Sequence, residues 1–129
     1  MWTSTTPEDR KLEYSVPKEF GGPGSGFSPE DIYISALANC YVATFKVIAA
    51  NSKVDFTSLD TTGELTLDVN AETKKPWMSQ AKLNVLVKTT GDIEKVERFA
   101  NRVTSQCLIL NSVKTEVIVS VRVETSGAN

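Results

Sequence analysis

A chain of 129 residues, 40% of them hydrophobic, holds enough apolar material for one domain spanning 1–129 with its own core and no disulfide or metal staple. Its 14 basic and 16 acidic residues leave a net charge of -2, and basic residues cluster no further than the pairs Arg10-Lys11 and Lys74-Lys75, so nucleic acid and anionic membrane are not expected partners. The sequence has no histidine, which excludes a histidine base and every histidine-ligated metal site, and two cysteines alone cannot complete a structural zinc site.

Residues Met1 to Arg10 are polar and acidic, unlike a secretory signal. The apolar stretches look shorter than the roughly 20 residues a bilayer span needs, so the expected location is the cytoplasm. Lys11 to Val16 reads as a short strand, with Leu12, Tyr14 and Val16 alternating against Lys11, Glu13 and Ser15. The Gly/Pro-rich run Gly21 to Gly26 follows and reads as a flexible connector. A helix start comes next: Ser28 can cap, Pro29 suits the first helical position, and Glu30 and Asp31 favour the positive end of the dipole. That helix is predicted to reach Ala50 or Asn51. It is apolar around most of its circumference, which predicts burial on most sides, centrally or against a second subunit.

Val54 to about Val69 and Trp77 to Thr89 are predicted strands joined by the polar turn Asn70 to Pro76, together an antiparallel hairpin. Gly91-Asp92 opens a second helix, amphipathic through Ile93, Val96, Phe99, Ala100, Val103, Cys107 and Leu110. Val113 to Val123 alternates as a closing strand, and Ser126 to Asn129 is expected to be a frayed tail. The predicted class is α+β, one very apolar and one amphipathic helix on an antiparallel sheet.

Chemistry must come from Cys40, Cys107, carboxylates, Lys, Arg or Tyr. The glycine-rich loop is no P-loop, because no Lys-Ser/Thr follows it and Glu30 and Asp31 would repel an anion at that helix start. Each cysteine can be read as a small buried hydrophobe. Alternatively the two form a redox pair, since both fall on core-facing stripes of helices that share a sheet. Glu30 and Cys40 lie ten residues apart, about 15 Å along a straight helix. For Glu30 to serve a thiol, that thiol would be Cys40 of a second subunit, or the helix would bend.

The segments Pro17 to Gly24, Ser28-Pro29-Glu30-Asp31 and Ala36-Leu37-Ala38-Asn39-Cys40, followed by Ser105-Gln106-Cys107 in a later helix, resemble the OsmC/Ohr family of hydroperoxide reductases. The resemblance covers nearly the whole chain. It implies an intertwined homodimer with sites at the interface, and a thiol peroxidase that reduces organic hydroperoxides without metal or cofactor. Cys40 would be the peroxidatic thiolate, Cys107 the resolving thiol, and Glu30 a holder of the arginine that activates Cys40. An external dithiol or lipoyl-type reductant would recycle the enzyme. Tyr33, Phe45 and Phe99 are the candidate substrate-lining residues. Two departures stand out: Leu108 follows the second cysteine where the family usually has proline, and the N-terminal hairpin that carries the arginine looks largely lost. Arg10 is the nearest candidate for that arginine, with Lys18 as a substitute. The rival to the peroxidase is a non-enzymatic, ligand-binding or structural dimer with inert core thiols; a thiol–disulfide exchange protein ranks below both, for want of Cys-x-x-Cys.

Overall fold

Trp2–Thr5 (β1) and Lys11–Tyr14 (β2) pair antiparallel at the N-terminus of the computed structural model, which describes residues 1–126. Trp2 lies opposite Tyr14 and their rings stack at 5.7 Å, a cross-strand contact that steadies a strand pair otherwise exposed to solvent. The connecting loop closes through the Thr6 N–H, which donates to the Arg10 carbonyl at 2.8 Å, with Asp9 in the left-handed region at φ 63°. The N-terminal hairpin that looked largely lost is therefore present in short form. Its first strand escapes the hydrophobic pattern because Thr3, Ser4 and Thr5 carry no apolar alternation.

The glycine-rich stretch is held in place, contrary to the flexible connector expected of it. A 3-10 turn at Lys18–Phe20 ends on Gly21 in the left-handed conformation (φ 83°), which glycine adopts without strain. A Cβ on Gly22 would overlap the Val16 carbonyl. Beyond it, the Phe27 N–H donates to Glu13 O at 3.1 Å and the Ser15 N–H to Phe27 O at 3.0 Å, tying the stretch along β2. These elements belong to the first of two compact units, Met1–Ser35; the second begins at Ala36.

Helix α1, Pro29–Ser52, starts in the first unit and runs uninterrupted into the second. Its start is a reciprocal capping box: the Asp31 N–H donates to Ser28 Oγ and the Ser28 N–H to an Asp31 carboxylate oxygen, both at 3.0 Å. Only one stripe of α1 is buried, at Leu37, Ala38, Tyr41, Phe45 and Ala49. The burial on most sides expected from its composition is not supplied by this chain alone, and Val47 is 62% exposed. With 24 residues, α1 is also long and apolar enough to cross a membrane, which corrects the expectation that every apolar stretch is too short. Core packing of its buried stripe accounts for part of that apolarity.

In the second unit, Ser58–Val69 (β3) and Pro76–Thr89 (β4) form the expected antiparallel hairpin. Asn70 shapes its turn by accepting the Glu72 and Thr73 N–H groups on its side-chain oxygen. Ala81, Leu83, Val85, Val87 and Thr89 alternate as the buried face of β4. Glu116–Thr125 (β5) pairs with β4 in parallel register, giving the order β3-β4-β5. The α+β class stands, with a mixed sheet in place of the wholly antiparallel one. A parallel neighbour needs a long crossover, and Ile93–Val103 (α2) provides it.

Asp92 caps α2, accepting from the Glu94 and Lys95 N–H groups. The helix stops at Val103, short of the predicted Leu110, and a 3-10 turn at Thr104–Gln106 hands over to an extended Cys107. Ser105 Oγ donates to Arg102 O at 2.9 Å, a side-chain bond that competes with the helical ladder. Leu108 is left 76% exposed, off any helical stripe. The core gathers Tyr41, Phe45 and Ala49 of α1, Val85 and Val87 of β4, Val96, Phe99, Ala100 and Val103 of α2, and Cys107. Phe45 sits at its centre, edge-on to Phe56 and Phe99 at 5.0 Å each. The C-terminal tail expected from Ser126 lies outside the described residues except for Ser126, whose N–H donates to Thr89 O at 2.9 Å.

Candidate active site at the two cysteines

Both cysteines belong to the second unit, and the fold brings them together. Cys40 projects from α1 and is half-buried, whereas Cys107 is fully buried at the end of the 3-10 turn after α2. Neither is in a disulfide. The two thiols are close enough to influence one another electrostatically. Placing Cys107 inside a later helix is thus corrected to the segment beyond it.

The neighbours of the pair are specific. The Ile109 N–H donates to Cys40 Sγ at 3.4 Å, from the segment that also carries Cys107. The Cys107 S–H donates to Val103 O at 3.4 Å, filling one of the last carbonyls of α2. A second carbonyl in that turn, Ala100 O, accepts from the Tyr41 hydroxyl at 2.6 Å. Thr44 Oγ1 donates to Cys40 O at 2.7 Å and stands within reach of the Cys107 thiol as well. Burial pushes the Cys107 thiol up from its ordinary value; the Thr44 hydroxyl opposes that shift and the nearby Cys40 thiol adds to it. Cys107 is accordingly held as a neutral thiol. Burial, reinforced by Cys107, also keeps Tyr41 a neutral phenol well into alkali.

An open groove of about 360 Å³ lies beside the pair, lined by Ala43, Thr44, Val47, Ile48 and Gln106. A second groove, of about 440 Å³, shares Ile48 and Gln106 with it and adds Ser52, Phe99, Arg102, Val103 and Ser105. Among the described residues, no group of three or more His, Cys, Asp and Glu side chains could hold a metal ion.

The remaining expected residues divide between the two units. Phe45 is wholly buried, so it anchors α1 in the core and does not line a surface; Phe99 is 2% exposed and lines the second groove. Tyr33 is half-buried on the part of α1 within the first unit. Glu30 stands on the first turn of α1, ten residues before Cys40 on one uninterrupted helix, and its Oε2 is buried without a hydrogen-bond partner among the described residues. Arg10 is exposed at the end of the β1–β2 loop, and Lys18 is exposed on its 3-10 turn. Thr44 and the Ile109 N–H were not anticipated. Thr44 stands one helical turn after Cys40, a signal available in the sequence, whereas a backbone N–H contributed by the Cys107 segment has none.

The OsmC-like protein family model matches residues 22–122, a stretch that holds Glu30 and both cysteines. The chain belongs to the OsmC-like family. An OsmC-like protein of unknown function from Vibrio cholerae is 22% identical and superposes with a TM-score of 0.83 over 93% of this chain and 82% of that one. An organic hydroperoxide resistance protein OsmC from Legionella pneumophila, also 22% identical, gives a TM-score of 0.71 over 95% of this chain and 88% of its own. The Bacillus subtilis protein YmaD is 24% identical over 106 residues, covering 80% of this chain and 71% of YmaD. At these identities the structural likeness establishes the OsmC-like fold.

Proposed function

We propose that this OsmC-like protein is a thiol peroxidase that reduces organic hydroperoxides through Cys40 and Cys107. The observation that carries the reading is the pairing of a partly exposed cysteine with a fully buried one near enough to act on it. Exposure assigns the roles. Only Cys40 can meet a dissolved peroxide, so its sulfur attacks the terminal peroxide oxygen, forming a sulfenic acid and releasing an alcohol. Cys107, close by and protonated, then condenses with that sulfur, and water leaves. The hydroperoxide resistance protein among the structural relatives agrees with this chemistry.

The apolar surface that α1 leaves uncovered supports a homodimer, and the buried, unpartnered Glu30 Oε2 supports a cation brought to it on assembly. Arg10, near the end of a solvent-exposed hairpin loop, is the candidate. An external dithiol, free or carried as a lipoyl group, returns the disulfide to the dithiol state, and the cytoplasm, where thiols are kept reduced, is the fitting compartment. The groove lined by Ala43, Val47 and Ile48 suits an apolar hydroperoxide. Full burial of Cys107 favours the rival, in which the fold persists with unreactive cysteines.

The test is consumption of cumene hydroperoxide with a dithiol reductant. Wild type should turn over and Cys40→Ser should not; Cys107→Ser, mixed with one equivalent of peroxide in the absence of reductant, should gain one oxygen and form no intramolecular disulfide. Turnover retained in Cys40→Ser would overturn the assignment.

A further inference from the structure

We propose that Thr44 is a catalytic residue for the second half of the reaction, its hydroxyl donating to the Cys107 sulfur as that thiol closes the disulfide. The inference rests on the peroxidase reading above and deepens it. Its basis is the placement of one hydroxyl: Thr44 Oγ1 donates to Cys40 O at 2.7 Å, Thr44 lines one groove together with Gln106, the residue before Cys107, and its hydroxyl acts on the Cys107 thiol.

A threonine hydroxyl has one proton to donate. In the dithiol it is given to the Cys40 carbonyl, which also belongs to the helical ladder and accepts the backbone N–H four residues on. That carbonyl can release the hydroxyl and stay paired. Cys107, by contrast, lies where water does not solvate a thiolate, since it is fully buried. Its S–H is committed to Val103 O, so losing the proton removes that bond and leaves the sulfur in need of a donor. Turning the Thr44 O–H about the Cβ–Oγ1 bond redirects its proton from the carbonyl to that sulfur.

The step balances as follows. The Cys107 S–H gives up its proton, and the sulfur's electron pair forms the S–S bond to Cys40 while the S–O bond of the sulfenic acid breaks. The departing hydroxide takes that proton and leaves as water. Thr44 keeps its own proton throughout; it supplies a hydrogen bond that grows as charge develops on Cys107. Thr44 also lines the open groove beside the pair, which gives the released water a way out.

The test is a single-turnover series on reduced full-length protein mixed with one equivalent of cumene hydroperoxide, acid-quenched and read by intact mass. Peroxide loss reports the first step, and the change from an added oxygen to the loss of two hydrogens reports the second. Thr44→Val, close in shape but without the hydroxyl, should slow the second step about tenfold or more relative to the first, the scale of one hydrogen bond to a developing charge. It should also accumulate sulfinic acid when peroxide is in excess. Thr44→Ser should restore the second step to within a few-fold of wild type. Disulfide formation at the wild-type rate in Thr44→Val overturns the proposal, as does an equal slowing in Thr44→Ser, which would assign the effect to packing. Wild-type protein that neither gains oxygen nor loses two hydrogens overturns the peroxidase reading, and this proposal with it.

Discussion

Replacing Tyr41 by phenylalanine isolates one bond that holds the buried cysteine's surroundings in place. The phenol is fully buried and donates at 2.6 Å to Ala100 O, a carbonyl in the last turn of α2, where intrahelical partners run out. Tyr41→Phe keeps the ring and its packing against Phe45, 6.1 Å away between centroids. What it removes is the donor, leaving a buried carbonyl short of a partner. Such a loss costs about 1–3 kcal/mol. With a urea m-value of about 1–3 kcal/mol/M for a small protein, a cost near 2 kcal/mol lowers the midpoint by roughly 1 M. The assay is urea unfolding followed by far-UV circular dichroism, at one protein concentration so that any self-association affects both proteins alike. Because the next carbonyls of that turn receive the Ser105 hydroxyl and the Cys107 thiol, loosening there should also slow formation of the Cys40–Cys107 disulfide. A midpoint within about 0.2 M of wild type, less than about 0.5 kcal/mol, would show that Tyr41 does not brace the end of α2.

Two further outcomes follow from the same structure. Cys107 is neutral in the fold and its pKa is raised by burial, so the unfolded chain loses this proton first as pH rises. Its contribution to stability is therefore fully present below the unfolded thiol's pKa of about 8.5 and lost as pH climbs from there to the folded value; urea midpoints at pH 7 and 10 should fall less in Cys107→Ala than in wild type, and equal falls would contradict the burial argument. Gly22→Ala should destabilise the first unit, because its Cβ would overlap the Val16 backbone carbonyl and force the chain to shift; hydrogen exchange in Lys11–Tyr14 should accelerate, and unchanged protection would show that the loop adapts.

Much of the scaffold was legible where a local rule and burial agree. Ser28, Pro29 and Asp31 mark the start of α1 by capping chemistry that needs no tertiary partner, and the alternation from Ala81 to Val87 marks β4 because one face is buried. Strand direction was not legible in β5, since alternation of Val117, Val119 and Val121 is the same in parallel and antiparallel pairs. The end of α2 was overrun because Cys107 and Leu110 continue its spacing by coincidence, while the Ser105 side chain competes for the helix carbonyls. Strand β1 carried too little apolar pattern to announce itself, and its main side-chain anchor is Trp2 against Tyr14.

The site was half legible for a related reason. Cys40 and Cys107 stand out by chemical type, and their juxtaposition follows from two elements sharing one core. Phe45 and Phe99 were expected at a substrate surface because size and apolarity look the same at a pocket and in a core, and here the core claims most of both. Thr44 reads from sequence as a tolerated helix residue, and only the placement of Cys107 reveals a second use for its hydroxyl.

The central claim is that Cys40 and Cys107 form one redox pair driven by peroxide. Its most direct test is the intact mass of reduced protein before and after one equivalent of cumene hydroperoxide, under conditions that preserve disulfides. The account predicts prompt loss of two hydrogens in wild type, with no such loss in Cys40→Ser or Cys107→Ser. An unchanged wild-type mass over many minutes would contradict it and leave an OsmC-like fold whose thiols are inert to that peroxide.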